Sequence, residues 1–200
     1  MNISIILAHP NSGSFNHAIA ITAADALRRN GHEAVLHDIC QEQFPPLLTG
    51  AELQKDAPLE PVVARHCREI ASADGIVIVH PNWWGMPPAI LKGWIDRVLR
   101  MDVAYRFAAN DKGEGVPVGL LKAKSAIVFN TANTPDDRER AVFGDPLEAL
   151  WRKCVFEFCG VNNVRRRTFA VVVTSTPGQR AQWLTEVRQI VGAQFPATRI

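Results

Sequence analysis

The chain of 200 residues has a single tyrosine and four cysteines, and no apolar run in it approaches the roughly 18 residues a membrane-spanning helix needs. Met1-Asn2-Ile3 leads straight into an apolar stretch with no cationic segment ahead of it, so no secretory signal is read there. Cys40, Cys67, Cys154 and Cys159 lack C-x-x-C spacing, which argues for buried or half-buried free thiols in a reducing cytoplasm. Gly13 is the only glycine before Gly31, so the first turn carries neither G-x-G-x-x-G nor a G-K-[ST] phosphate loop. His9 and His80 have no nearby carboxylate or thiol in sequence to complete a metal site. A net charge of +2 gives no reason to expect nucleic acid or an acidic surface as partner. No repeat, low-complexity tract or linker interrupts the chain, so one domain over residues 1–200 is expected.

What is present is an ordinary globular composition, 47% hydrophobic and 21% charged, with one conspicuous segment. Gly75-Ile76-Val77-Ile78-Val79 is an apolar β-branched run of the kind found in a parallel strand covered on both faces. It ends at His80-Pro81, because proline cannot donate to a ladder. Asn82-Trp83-Trp84-Gly85 then forms a loop. Pro88 suits a first helical turn, and Ile90, Leu91, Trp94, Ile95, Val98 and Leu99 mark one buried helical stripe. In an open α/β sheet such a loop lies at the carboxyl ends of the strands, where ligands bind. Paired tryptophans in a loop also serve as packing anchors or interface patches.

Asn2–Ala8 reads as the first strand and His9–Asn16 as its exit turn. The helix that follows carries Phe15, Ala18, Ile19, Thr22, Ala23, Ala26 and Leu27 at helical spacing and closes at Asn30-Gly31. A Ser- and Asn-rich turn at a helix N-terminus favours an anion, and Ser12 or Ser14 serves equally as a plain N-cap. Glu33–Ile39 is the second strand, residues 41–58 a long connection, and Pro61–Ser72 a helix. A second long connection, Met101–Lys122, places Tyr105 and Phe107 two residues apart, so an extended backbone presents both rings to one side. Such a loop either covers a substrate or is clamped to the surface by its aromatics. Ser125–Phe129 is the fourth strand, with a polar exit at Asn130–Pro135. Asp145-Pro146-Leu147-Glu148 has the order of an N-cap, a Pro at N1 and a capping-box Glu, and the helix it opens stops at Gly160. Thr168–Val173 is the fifth strand. Thr176-Pro177 caps the last helix, which turns Trp183, Val187, Ile190 and Val191 to the sheet. Arg165-Arg166-Arg167 reads as solvated charge at a strand entry.

Five strands alternating with helices predict an α/β, flavodoxin-like doubly wound parallel sheet of order 2-1-3-4-5. Strands one and three then lie side by side. Their exits bring an anion cradle next to an aromatic wall, with Asn130–Thr134 beside them. That combination suits a ligand with a phosphate tail and a flat ring.

Residues 7–18, 81–98, Ala104-Tyr105-Arg106-Phe107, Asp111-Lys112-Gly113 and Phe158-Cys159-Gly160-Val161 resemble the flavodoxin-like NAD(P)H:quinone oxidoreductases. The resemblance implies that His9, Ser14, Phe15 and Asn16 hold the phosphate end of a flavin. Pro81, Asn82, Trp83, Trp84 and Gly85 would line its ring edge, and Thr131, Ala132, Asn133 and Thr134 its pyrimidine side. Tyr105 and Phe107 would form part of a substrate pocket across a homodimer interface. The chain departs from the mammalian members in three places. Phe107 replaces a Tyr, Asn130-Thr131-Ala132-Asn133 replaces Thr-Thr-Gly-Gly, and the family's Tyr and His relay positions fall near Asp137 and at Phe143. The implied cofactor is FMN, with FAD the alternative, and the implied co-substrate is NADPH or NADH. Two-electron reduction of a quinone-type acceptor is the implied reaction. A flavin electron carrier, or a regulatory subunit resembling those of potassium efflux systems, is compatible with the same motifs. Flavodoxin-type carriers, however, tend to be compact and acidic.

Overall fold

A computed structural model describes residues 1–54, 57–109 and 115–197. Parallel strands β1 (Asn2–Leu7), β2 (Glu33–Asp38), β3 (Gly75–Pro81), β6 (Ser125–Ala132) and β7 (Asn163–Ala170) form one sheet in the order β2-β1-β3-β6-β7. This is the expected order, with two further strands inserted before β6. Every residue of β3 and of β6 is buried, as their unbroken apolar runs require of central strands covered on both sides. Alternation splits the core. Ile76 and Ile78 face a layer with Trp94, Val98, Trp151 and Phe156, while Val77 and Val79 face one with Ile19, Leu27, Val187 and Phe195. The first layer is built by α2 (Pro61–Ser72), α3 (Ala89–Val98) and a π-helical segment, Leu150–Glu157, that continues α5 (Pro146–Ala149). The second is built by α1 (Phe15–Arg29) and α6 (Pro177–Gln194). No helix among the described residues is long and apolar enough to cross a membrane.

Within Met101–Lys122 lies a β-hairpin, β4 (Tyr105–Ala109) paired antiparallel with β5 (Gly115–Gly119), and Asp111-Lys112-Gly113 lies outside the described residues. A short helix, α4 (Asp136–Phe143), follows β6 and buries none of its residues, so it carries no hydrophobic stripe by which sequence would reveal it. Pro88 is the N-cap of α3, with α3 starting at Ala89. Asp145 precedes α5 but makes no side-chain cap, because its carboxylate goes to Arg166 instead. The fifth strand begins earlier than Thr168 and contains the arginine run. Successive side chains therefore leave on opposite faces, Arg166 to Asp145 and Glu148, Arg167 to Glu186 on α6. Cys154 is exposed, whereas Cys67 and Cys159 are buried.

The long connection after β2 is anchored by chemistry that periodicity does not reveal. Arg97 of α3, 1% exposed, donates to Glu52 Oε1 at 2.8 Å, Glu60 Oε1 at 2.8 Å and the Pro45 carbonyl at 2.6 Å. A Cβ on Gly93 would stand 2.1 Å from the Pro46 carbonyl oxygen, so only glycine lets the connection lie on α3.

Candidate functional site

Three strand exits meet at the carboxyl edge of the sheet. The turn after β1 supplies His9, Ser14, Phe15 and Asn16, the turn after β3 Pro81, Asn82 and Trp83, and the end of β6 with its exit Thr131, Ala132, Asn133 and Thr134. Together with Val172 and Val173 they enclose a cleft of about 380 Å³. Ser14 is the N-cap of α1, its Oγ accepting from the His17 N–H at 3.4 Å, and the residues of that first turn, Ser14 to Asn16, line the cleft. Two buried acceptors in this wall, Asn16 Oδ1 and Asn82 Oδ1, have no partner. The Asn16 amide is fixed from its other side by Nδ2 donating to Thr131 Oγ1 at 2.9 Å. The Asn82 amide likewise donates to Glu139 Oε1 at 3.1 Å. Unpaired buried acceptors are costly and rare, and both residues line this one cleft.

Trp83, Trp84, Gly85 and Met86 form a tight turn closed by reciprocal bonds, Trp83 N–H to the Met86 carbonyl at 3.1 Å and Met86 N–H to the Trp83 carbonyl at 3.0 Å. Both central residues have positive φ, +58° at Trp84 and +71° at Gly85, as a type I′ turn demands. Trp83 leans on His9 with ring centroids 6.2 Å apart, joining the first and third strand exits. Trp84 is fully exposed and, with Gly85, Phe143 and Pro146, lines a neighbouring apolar recess of about 350 Å³ that also contains Asn82 and Thr134.

Behind the cleft, His80 is completely buried. Its Nε2 accepts from Asn130 Nδ2 at 2.7 Å and from Trp151 Nε1 at 2.9 Å, and its Nδ1 donates to the Pro81 carbonyl at 2.8 Å. Burial pushes its pKa down to about 4, outweighing the raising effect of the Pro81 bond, and the nearby Arg166 charge lowers it further. His9 is also lowered, chiefly by burial.

The hairpin stands apart from this cleft. Tyr105 and Phe107 do lie on one side of β4, 5.7 Å apart, and both pack on Phe158. Neither lines the cleft. Tyr105 borders a separate recess of about 360 Å³ with Leu48, Leu53, Leu99 and Met101. Residues 1–191 match the model of the family described as having the flavodoxin-like fold.

The chain belongs to that family.

An uncharacterized NAD(P)H oxidoreductase of Haemophilus influenzae is 36% identical over 173 residues, covering 84% of this chain and 83% of that protein. NAD(P)H dehydrogenase [quinone] 1 of Rattus norvegicus is 27% identical over 203 residues, 90% of this chain and 72% of the rat protein. Among solved structures, Smu.1420 of Streptococcus mutans superposes with a TM-score of 0.83 at 30% identity, covering 96% of this chain and 98% of that one.

Against this family background two clusters were not legible beforehand. His37, Glu42 and His66 bring ligand-type atoms within 4.8 Å of one another. Trp94 Nε1–H, however, donates to His66 Nδ1 at 3.1 Å, which leaves the proton on His66 Nε2, 3.1 Å from Glu42 Oε2. Glu42 also takes His37 Nδ1 and Arg65 Nη2, both at 2.8 Å. These bonds tie the end of β2 to α2, and His37 Nε2 stands 2.5 Å from Glu69 Oε2 of the same helix. The second cluster is Ser14, His17 and Asp38. His17 lies 2.9 Å from Ser14 Oγ through Nδ1 and 2.6 Å from Asp38 Oδ2 through Nε2, bracing the first turn against the end of β2.

Proposed function

We propose that this protein is an NAD(P)H-dependent flavin oxidoreductase that binds FMN in the cleft between the β1, β3 and β6 exits and reduces a quinone-type acceptor. The observation that carries this reading is the cleft's composition. It has a helix N-terminus with a serine cap at one end, two unpartnered buried amide oxygens in its walls, and an indole at its edge. These groups fit the cofactor. Helix N–H groups and the Ser14 hydroxyl suit a phosphate, Asn16 and Asn82 offer acceptors to ring or ribityl donors, and Trp83 offers a flat wall. The relatives, an NAD(P)H oxidoreductase and a quinone dehydrogenase by name, point the same way.

When bound, FMN supplies the ring that takes two electrons from the nicotinamide and passes them to the acceptor. The chain's own contribution is placement. The first turn anchors the anionic end, the β3 exit aligns the ring edge, and Thr131–Thr134 close the other side. Tyr105, the only tyrosine, holds a hydroxyl suited to an acceptor carbonyl, and a homodimer would carry the Tyr105–Phe107 edge of one copy to the cleft of the other. Exposed Trp84, Met86, Phe107, Val116 and Phe143 support such an association, because apolar side chains of this size gain by leaving water. The unpaired thiols suit a reducing cytoplasm.

The test is direct. Purified protein titrated with FMN should quench flavin fluorescence at one site per chain, and the loaded protein should consume NADPH or NADH with menadione. Tyr105→Phe should lower turnover and leave bound flavin in place. Protein that takes up neither FMN nor FAD would refute the reading. Flavin uptake without nicotinamide consumption would leave an electron carrier.

A further inference from the structure

We propose that His80 is a positioning residue for the flavin ring, its neutral imidazole holding the Pro81–Asn82 peptide that forms one wall of the cleft. The proposal rests on the flavin reading above and adds a group that does not line the cleft. The proton's place on His80 follows from its neighbours. Arg166 Nη1 donates to Asn130 Oδ1 at 3.2 Å, so the Asn130 amide must turn its NH₂ toward His80. Nε2 therefore meets two N–H donors, from Asn130 and Trp151, and has to present a lone pair to both. The single ring proton sits on Nδ1 and is donated to the Pro81 carbonyl. On the other side of the same peptide, the Asn82 N–H donates to the Thr131 carbonyl at 2.7 Å. Both polar groups of the linkage are thus held, and Asn82 cannot swivel.

Among the described residues, the charge acting on this site is that of Arg166, which Asp145 and Glu148 fix in turn. A proton added at Nε2 would confront both N–H donors in a site with no access to water. The buried ring's lowered proton affinity agrees with that geometry. His80 therefore acts as a rigid, uncharged strut. Orientation passes from Arg166 through Asn130 to His80 and then to the cleft wall, and the His80 ring itself adds no charge.

Two measurements test this. Nitrogen-15 NMR of histidine-labelled, flavin-free protein should show His80 as the Nδ1–H tautomer from pH 5 to 8. A charged or Nε2–H imidazole at pH 6.5 would overturn the proposal. In FMN titrations, His80→Gln keeps an acceptor for Asn130 and Trp151 but loses the donor to Pro81. It should weaken binding about tenfold and shift the bound flavin's visible spectrum. His80→Asn, whose shorter amide can still reach the Pro81 carbonyl, should restore most of that affinity. If His80→Gln does not fold, His80→Asn carries the titrations alone, with affinity and spectrum near wild type expected and a tenfold loss of affinity overturning the proposal. Wild-type affinity and spectrum in His80→Gln would overturn this proposal alone. Wild-type protein that takes up no FMN would overturn the flavin reading as well.

Discussion

The conformation of Trp84 gives a prediction that separates folding from function. At φ +58° its side chain sits in the left-handed region, which costs a non-glycine residue roughly 1–2 kcal/mol. Its ring is 101% exposed, so within one chain it earns nothing back by burial. Asn-Gly is the preferred central pair of a type I′ turn, because asparagine tolerates positive φ through local hydrogen bonding. Trp84→Asn should therefore stabilise the isolated chain by about 1 kcal/mol, or roughly 2–4 °C in midpoint for a domain of this size. The assay is urea unfolding of flavin-free protein at two concentrations, since any self-association would make the midpoint concentration-dependent. If the proposed homodimer buries this ring, the same substitution should also weaken self-association and reduce turnover of the loaded enzyme at least tenfold. A loss of about 1 kcal/mol at the lower, monomeric concentration would refute the reasoning, as it would mean the ring stabilises the single chain in a way its exposure denies.

Other expectations follow from the buried charges and thiols. Arg97→Met should cost about 3–5 kcal/mol in guanidinium unfolding because Glu52 is left buried without its partner, and adding Glu52→Gln should recover much of it. Stability should fall as pH drops from about 6.5 to about 4. Over that window the unfolded chain takes a proton at His80 and the folded chain does not, a difference worth about 3 kcal/mol that His80→Gln should remove. From about pH 5 downward the carboxyls of Glu42, Glu52 and Glu148, whose ion-pair and hydrogen-bond partners together outweigh burial and hold them low in the folded state, should add their own losses as they protonate. Native alkylation at pH 8 read by mass spectrometry should label exposed Cys154 and spare Cys159, whose thiol burial pushes up to about 11.

Sequence alone determined whatever is written in short-range pattern. The first four parallel strands, the helices α1, α2, α3 and α6, and the three stretches that line the cleft follow from runs, stripes and caps within about 15 residues of each other, whereas the strand order came from the doubly wound arrangement such alternation favours. The same logic placed Tyr105 and Phe107 on one side of an extended segment. It failed at α4, which has no buried stripe, at the hairpin, whose pairing depends on two separated segments, and at the arginine run, whose partners lie elsewhere. Only the tertiary structure could decide those. It also decided the proton position on His80, set by Asn130 and by Trp151 at 50 and 71 residues' separation, and the meeting of Asn16 with Thr131 across 115 residues. Local sequence fixes backbone preference and which face is apolar. A hydrogen bond between distant side chains depends on how the layers settle, and no periodicity records it.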